Sequence, residues 1–533
     1  MMDLDTLPRR SSRKRSIPQA VPANTSRPAK KPKTQAHQDD TPTPYLRIYC
    51  LGNNDNAELG LGAQHGIDDV KVPTLNPYLS YPSSPPPASK SRKAPETIIK
   101  SKVTQLAVGG MHCAALTSTN EILTWGVNDN GALGRDTSSA RLEELIQCLT
   151  LQDDGDHHHH QAAKDGNLDL NILEACPGPV IFFDSNNTPT PKNKIPKWKQ
   201  ISACDSATFV LSTTGQVYGW GCTRSSQGIS LWSSSNPCVV EIQRTPVHIP
   251  LDDKIIKISA RGNHVLALTE NGQVYTWGAG CEQGQLGRRL PKRGNKELGC
   301  AVTPRKIKLK NVIDIATGPD HSFAVGGDGE VWGWGLDNYA QTGVIRRDRG
   351  EEGGLFVEEP TRMRSLEEIL EGRRTKIKIL TGGNSHSLCL LEDGSLWSWG
   401  RVDNCATGVD LEGLRRRGDD DDDEWEEKWV VKDGRGRARI LLRPVKILPR
   451  EGGEDGDDVR IKWVEAGAEH GVAVDEKARV ITWGFNASHQ TGHKGEEVKI
   501  PKMIVMKGAL EGVEFSWAGA GGHFTILGEE VGL

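Results

Sequence analysis

What this sequence lacks narrows the possibilities first. It contains no GxxxxGK[ST] phosphate loop, no GxSxG elbow and no HExxH helix, so ordinary hydrolase signatures are absent and covalent catalysis has no candidate. No run approaches the roughly 18 apolar residues that a membrane-spanning helix requires. The N-terminus lacks the apolar centre of a secretory signal, and the 11 cysteines are scattered from Cys50 to Cys405 without one CxxC pair. A disulfide framework is therefore not expected, and a soluble protein of a reducing compartment, cytosol or nucleus, is. Excess charge is missing too: 66 Lys plus Arg stand against 70 acids, a formal charge of −4, so the chain as a whole is no polybasic coat for nucleic acid.

Glycine is abundant, with 59 residues, while long helical patterns are few, which points to many tight turns between short strands. The turns belong to a repeat. One half is a short strand ending in Trp-Gly: "LTWG" at 123–126, "YGWG" at 218–221, "YTWG" at 275–278, "WGWG" at 332–335, "WSWG" at 397–400 and "ITWG" at 481–484, with "IYCLG" at 48–52 as a variant carrying Leu51 in the Trp slot. The other half is an apolar strand after a glycine and, in most copies, a histidine: "VGGMHCAAL", "SACDSATFVL", "SARGNHVLAL", "ATGPDHSFAV", "TGGNSHSLCL", "EAGAEHGVAV" and "AGAGGHFTIL". Each half occurs seven times.

Gly-containing turns such as "ENGQ" (270–273) and "EDGS" (392–395) join the halves into antiparallel hairpins. A lone hairpin of this size cannot bury its apolar face, so the repeats must pack on one another. Seven radially arranged sheets make an all-β, seven-bladed propeller, which protects most strand edges. The chain opens on a Trp-Gly type half and closes on a Gly-His type half, so the two ends are expected to complete one shared blade and close the ring. After each Trp-Gly comes a turn-rich loop, best preserved as "NNDNAELGLG" (53–62), "VNDNGALGR" (127–135) and "AGCEQGQLGR" (279–288).

Residues 1–44 are rich in Pro, Ser and Thr, cannot bury a core, and carry two basic runs. The first includes Arg9, Arg10, Arg13, Lys14 and Arg15, and the second Lys30, Lys31 and Lys33. They suit a nuclear import signal with a second use on DNA phosphate, or a merely solvated tail. The propeller is expected over 45–533, interrupted by irregular inserts near 63–100, 135–195, 344–375 and 409–458. The acidic run at 418–427 reads as a self-repelling loop, and the four histidines at 157–160 lack the spacing of a shaped metal site.

His112, His264, His321, His386, His470 and His523 could be taken for acid–base groups. Their recurrence at one repeat position argues instead for a structural hydrogen bond in each blade. The residues beside them vary, as Asp205, Asn263, Asp320, Ser385 and Glu469 show, and variable chemistry on a constant scaffold is how a binding face is written.

The combined Gly-x-x-His strand, Trp-Gly strand and Gly-x-Leu-Gly loop resembles the regulator of chromosome condensation family over about 45–533. "GGMH" followed by "NDNGALGRDTS", "CEQGQLGR" and the basic tail bring it near the Ran guanine nucleotide exchange factors of that family. The resemblance implies a nuclear, chromatin-associated monomer without cofactor, metal or membrane, whose partners are a Ran-type small GTPase, nucleosomal histones and DNA, and an import receptor acting through the tail. One face would grip the GTPase and speed nucleotide release by differential binding. Carried over by position, that face would include Asp55, His112, Asp205, Arg224, Asn263, Asp320, Ser385 and His386. The family has Asp where this chain has Asn263, and His where it has Ser385, so either the register differs locally or neutral hydrogen bonds replace charged contacts.

The family also inserts a hairpin wedge after its third Trp-Gly type strand. Here that segment is "CTRSSQGIS" (222–230), with Arg224 its only fixed charge; graft and degeneration of the repeat both account for it. A family loop that binds the nucleosome acidic patch corresponds to 287–299, with Arg288, Arg289 and Arg293, though a solvated basic loop would read alike. Two other uses of such repeats are an adaptor without exchange activity and, in plants, an ultraviolet photoreceptor. The photoreceptors carry Trp-Arg beside the repeat histidine, whereas this chain has Met111, Asn263, Asp320, Ser385, Glu469 and Gly522. Six of its 14 tryptophans sit in the Trp-Gly slot, where packing explains them.

Overall fold

The computed structural model describes residues 44–79, 102–150, 170–235, 238–291, 295–345, 355–411, 428–447 and 459–532. Seven antiparallel blades follow one another along the chain, the first two linked into one sheet by the pair Leu46↔Val103. Blade one is shared by the chain ends: Phe515–Ala520 and Phe524–Val531 from the C-terminus pair with Tyr45–Gly52 and, outside it, Val70–Leu75. Its closing pair runs unbroken from Tyr45↔Val531 to Gly52↔Phe524. Blade two contains Val103–Val108, His112–Thr117, Ile122–Gly126 and Gly178–Pro179, and blade three Trp198–Ala203, Ala207–Ser212, Val217–Gly221 and Gln243–Ile249. Blade four begins with Ile255–Arg261 and His264–Thr269, blade five with Val312–Thr317 and His321–Gly326, blade six with Ile377–Gly382 and His386–Leu391, and blade seven with Ile461–Ala466 and His470–Asp475.

The first strands of successive blades touch in a cycle that returns from blade seven to blade one. The sheets are therefore arranged as a propeller around an axial channel lined by those strands, with the expected seam between the termini. Alternation explains the layering: second strands such as His112–Thr117 and His264–Thr269 are buried on both faces, whereas Val103–Val108 and Ile255–Arg261 alternate between core and channel.

Blades are joined by one repeated lock. The indole N–H of Trp125, Trp220, Trp334, Trp399 and Trp483 each donates to a carbonyl in the loop of the preceding blade, at Glu58, Ala132, Gln285, Gln341 and Ala406, over 2.8–3.1 Å. All five rings are fully buried. The loop must leave room for them: a Cβ on Gly60 or Gly134 would stand 2.5 or 2.6 Å from the indole, and both glycines have φ of +63°. The "LG" of the loop is thus a seat for the next blade's tryptophan.

The stretches expected to be irregular are less so where they are described. Val70–Leu75 lies within 63–100, Ser139–Thr150 is a helix within 135–195, Phe356–Arg362 and the helix Arg364–Arg373 lie within 344–375, and Val430–Lys432 with Ala438–Ile447 within 409–458. Each of the four inserts holds the outer strand of a blade, Gly178–Pro179 being the one within 135–195. Such strands are half solvated and lack the Trp-Gly signature, so the repeat pattern does not mark them. The acidic run, the four histidines and the basic tail lie outside the described residues.

Candidate functional site

One face of the ring carries the short turns between first and second strands and the loops that follow third strands, because the start of each second strand pairs with the Gly of Trp-Gly, as in His112↔Gly126 and His386↔Gly400. Around the channel mouth, backbone hydrogen bonds link neighbouring blades: Asp205 N–H to Gly262 O, Asn384 N–H to Ala468 O, Ala468 N–H to Gly521 O and Gly522 N–H to Gly110 O, over 2.9–3.2 Å.

The pairing register corrects part of the sequence alignment. Gly221 pairs with Ala207 and Gly52 with Phe524, so these two residues fill the histidine slot in blades three and one. His523 is therefore not a sixth repeat histidine. It is exposed and equivalent to Met111, Asn263, Asp320, Ser385 and Glu469, so His523 replaces Gly522 in that set. Ser206 is the blade-three equivalent, and Asp205 lies one residue earlier, beside Gly110 of blade two.

His112 and His386, placed on the GTPase-facing surface by sequence, are fully buried and cannot touch a partner. They are framework, as their recurrence suggested. His112 Nε2 meets Thr208 Oγ1 at 2.9 Å, His264 meets Ser322 at 2.7 Å, His321 meets Ser387 at 2.8 Å and His470 meets Thr525 at 3.0 Å, always across to the next blade. Each hydroxyl gives its hydrogen to a loop carbonyl, such as Ala132 O for Thr208 and Gln285 O for Ser322, so the imidazole must be the donor at Nε2. Burial depresses these imidazoles, to about 4 for His112 and His264 and about 3 for His386 and His470, leaving them neutral. His386 differs: blade seven offers Gly471 where the others offer a hydroxyl, and neither of its ring nitrogens has a hydrogen-bond partner among the described residues.

The remaining sequence-derived residues do share the mouth face. Asp55 is exposed in the loop of blade one and accepts from Asn53 Nδ2 at 2.9 Å. Asp205 is open to solvent but sits in the concave mouth, where surrounding protein replaces part of its water. That desolvation raises its pKa; Arg261 and Arg224 oppose the rise and Asp320 adds to it. Asp320 is likewise raised by burial, and accepts from Gln285 Nε2 at 3.2 Å.

The segment 222–230 is a hairpin: Thr223–Arg224 pairs with Ser230–Ser235, which continues to Cys238–Val240. It docks on blade four, with Asn263 Oδ1 accepting from Arg224 N–H at 2.7 Å and Thr223 Oγ1 from Ala279 N–H at 2.9 Å. Trp232 of its second strand stacks on Phe209 at 5.4 Å. Gly219 makes the space, since a Cβ there would lie 2.7 Å from both rings. Asn263 thus serves as an anchor for the hairpin, and Arg224 stays exposed.

Arg288 is corrected as well. Its guanidinium donates to the carbonyls of Cys300, Ala301 and Thr303 at 3.1–3.3 Å, and burial lowers its pKa to about 10. Arg135, at the same place in the loop of blade two, donates to Thr124 O and Cys176 O in the same way. The arginine of "LGR" is thus a clasp for the loop. Arg289 is exposed and lies 3.5 and 3.6 Å from Glu358 and Glu359, while Arg293 lies outside the described residues.

Two mouth residues were missed. Arg401, just after Trp399-Gly400, pairs with Asp403 at 2.7 Å and lies over the Tyr339 ring at 5.0 Å; a charged residue directly after Trp-Gly was the available signal. Arg261 was hidden in the apolar pattern of a first strand.

The model of the RCC1-like domain matches residues 47–527. Protein pim1 of Schizosaccharomyces pombe is 32% identical over 92% of this chain and 75% of its own length. Guanine nucleotide exchange factor SRM1 of Saccharomyces cerevisiae is 30% identical over 91% of this chain and 87% of its own. Among solved structures, Prp20p from Saccharomyces cerevisiae, described with its binding to Gsp1p and histones, superposes with a TM-score of 0.68 at 29% identity, covering 91% of each chain. A second, of Prp20 bound to Kap60, has a TM-score of 0.68 and covers 96% of each chain. Sequence, ring and repeat lock agree, and the chain belongs to the RCC1-like domain family.

Proposed function

We propose that this protein is a guanine nucleotide exchange factor for a Ran-type GTPase, acting in the nucleus on chromatin. The observation that carries the reading is the near full-length likeness to a protein named as an exchange factor, over a ring whose mouth bears a docked hairpin. Asp55, Asp205, Arg224, Asn263, Asp320 and Ser385 form the GTPase-facing surface, with Arg401 added and the buried His112 and His386 withdrawn.

No bond is made or broken by the factor. It binds the nucleotide-free GTPase more tightly than the loaded one, and by linkage the nucleotide is bound less tightly in the complex. A rigid polar mouth suits that task, because its charges stay where the GTPase meets them. The tail residues Arg9, Arg10, Arg13, Lys14, Arg15, Lys30, Lys31 and Lys33 serve DNA phosphate and an import receptor, a use supported by the Prp20 complex with Kap60. Arg289 and Arg293 remain for histone carboxylates; Arg288 does not, because its Nε and Nη2 are turned inward onto Thr276 and the carbonyls of Cys300, Ala301 and Thr303.

The test is affinity for Ran in two states. The protein should bind nucleotide-free Ran at least about 100-fold more tightly than Ran·GDP, a coupling of about 2.7 kcal/mol. Equal affinities would remove exchange and leave an adaptor.

A further inference from the structure

Three residues before the repeat histidine, the chain has Gly109, Gly318, Gly383, Gly467 and Gly521 at the end of the first strand, and Cys204 in blade three. Little else fits: a Cβ on Gly318 would lie 2.2 Å, and one on Gly383 2.1 Å, from the histidine ring of its own blade. Blade four alone has a long charged residue there, Arg261. Its side chain is 15% exposed and makes its polar contacts with blades that are not its neighbours. Nη1 donates to Glu465 of blade seven at 2.8 Å, and Nη2 donates to Ala466 O of blade seven and to Ala520 O of blade one, the latter at 3.1 Å. Glu465 is held in turn by Thr381 Oγ1 of blade six at 2.8 Å.

In a cycle of seven, the point opposite blade four lies between blades seven and one. Arg261 therefore spans the channel at the mouth and binds both sides of the seam where the chain ends are joined. Ala466 and Ala520 end the first strands that lead into Glu469 and His523, and His523 lies against Phe485 of blade seven at 5.8 Å.

We propose that Arg261 is a cross-channel latch and a positioning residue: it holds the mouth ends of blades seven and one together, so that Glu469 and His523 present a fixed surface to the GTPase. The latch stands on geometry alone, while its role at the GTPase rests on the exchange reading above. A guanidinium suits the post, since one planar group serves a carboxylate and two carbonyls at once. Lysine could satisfy only part of that set.

The test is hydrogen–deuterium exchange on the full chain, with steady-state nucleotide exchange beside it. In Arg261→Met, the amides of Ala468 and Gly522 should exchange ~10-fold faster or more, while hairpins of blades two and five keep their rates. Arg261→Lys should recover part of the protection. Arg261→Met with Glu465→Gln, which leaves no unpaired carboxylate, should still show the local loss, separating a missing latch from a stranded charge. The KM for Ran·GDP should rise ~10-fold with kcat within about twofold of wild type. Unchanged seam protection, or a loss spread evenly over all blades, would overturn the latch; a loosened seam with unaltered KM would overturn the positioning role. Should the wild-type protein fail to speed release at all, the exchange reading falls while the seam amides still decide the latch.

Discussion

At the scale of single residues, the ring is held by a relay of small polar groups between blades. A histidine of one blade donates to a hydroxyl of the next; that hydroxyl and the next blade's tryptophan both donate to one loop carbonyl. Where the histidine is absent, at Ala207 and Phe524, the next blade has Val265 and Cys113 in the hydroxyl's place, so donor and acceptor disappear together. His386 breaks the rule by facing Gly471, whose missing Cβ makes room for Trp483 at 2.2 Å. A buried ring without partners gives up its solvation with no bond in return. His264→Leu should therefore lower stability by about 1 kcal/mol through the lost bond, whereas His386→Leu should be neutral or stabilising. Denaturant midpoints of the two variants check this, and an equal loss in both would contradict it.

At the scale of elements, the hairpin Thr223–Ser235 replaces the loop that blade three would otherwise supply to Trp277, and Trp277 packs edge-on against Phe209 instead, at 5.9 Å. The hairpin is fixed at its base by Trp232 and by two bonds to blade four, one of them from the Arg224 N–H, which leaves the Arg224 side chain exposed beside the Ser225–Ile229 turn. Trp232→Ala should cost about 3–5 kcal/mol of local packing and expose the Ser225–Ile229 turn and the adjoining Arg224 to protease, with the other blades still protected. Limited proteolysis followed by mass spectrometry reads this directly.

Much of this scale was legible in advance. The six Trp-Gly strands, their Leu51-Gly52 variant and the turns are written in apolar alternation and glycine, which the backbone itself demands. The outer strands were not legible, since a short edge strand such as Arg305–Lys306 pairs without burying a pattern. The site was read in part. Asp205, Asp320 and Arg224 reach the mouth, but the histidine slot shifts by one residue at Phe524, because a buried aromatic ring fills the space of an imidazole. Arg261 could not have been read, since its partners lie more than 200 positions away.

At the scale of the whole molecule, closure depends on the eight consecutive pairs between Tyr45–Gly52 and Phe524–Val531, with Arg47 and Glu529 bridged across them at 3.1 Å. Ending the chain at 523 should leave blade one without its central partner and unfold the ring, whereas removing residues 1–42 should leave the thermal midpoint unchanged. Acid should act on the whole ring as well. His112, His264, His321, His386 and His470 bind protons more weakly folded than unfolded, so their shared contribution is complete above pH about 6.5 and is lost as pH falls toward the folded values, about 4 for His112 and His264 and about 3 for His386 and His470. Denaturation midpoints measured from pH 7.5 to 5 should fall progressively; a flat profile would contradict neutral histidines in the locks.

The central claim is that the mouth of this ring expels nucleotide from a Ran-type GTPase. Release of a fluorescent guanine nucleotide from Ran tests it most directly. Micromolar protein should speed release by orders of magnitude, and Asp205→Ala should weaken that effect while the far-ultraviolet circular dichroism and thermal midpoint of the ring stay as in the wild type. Release at the intrinsic rate of Ran, with the folded protein present in excess, would contradict the account.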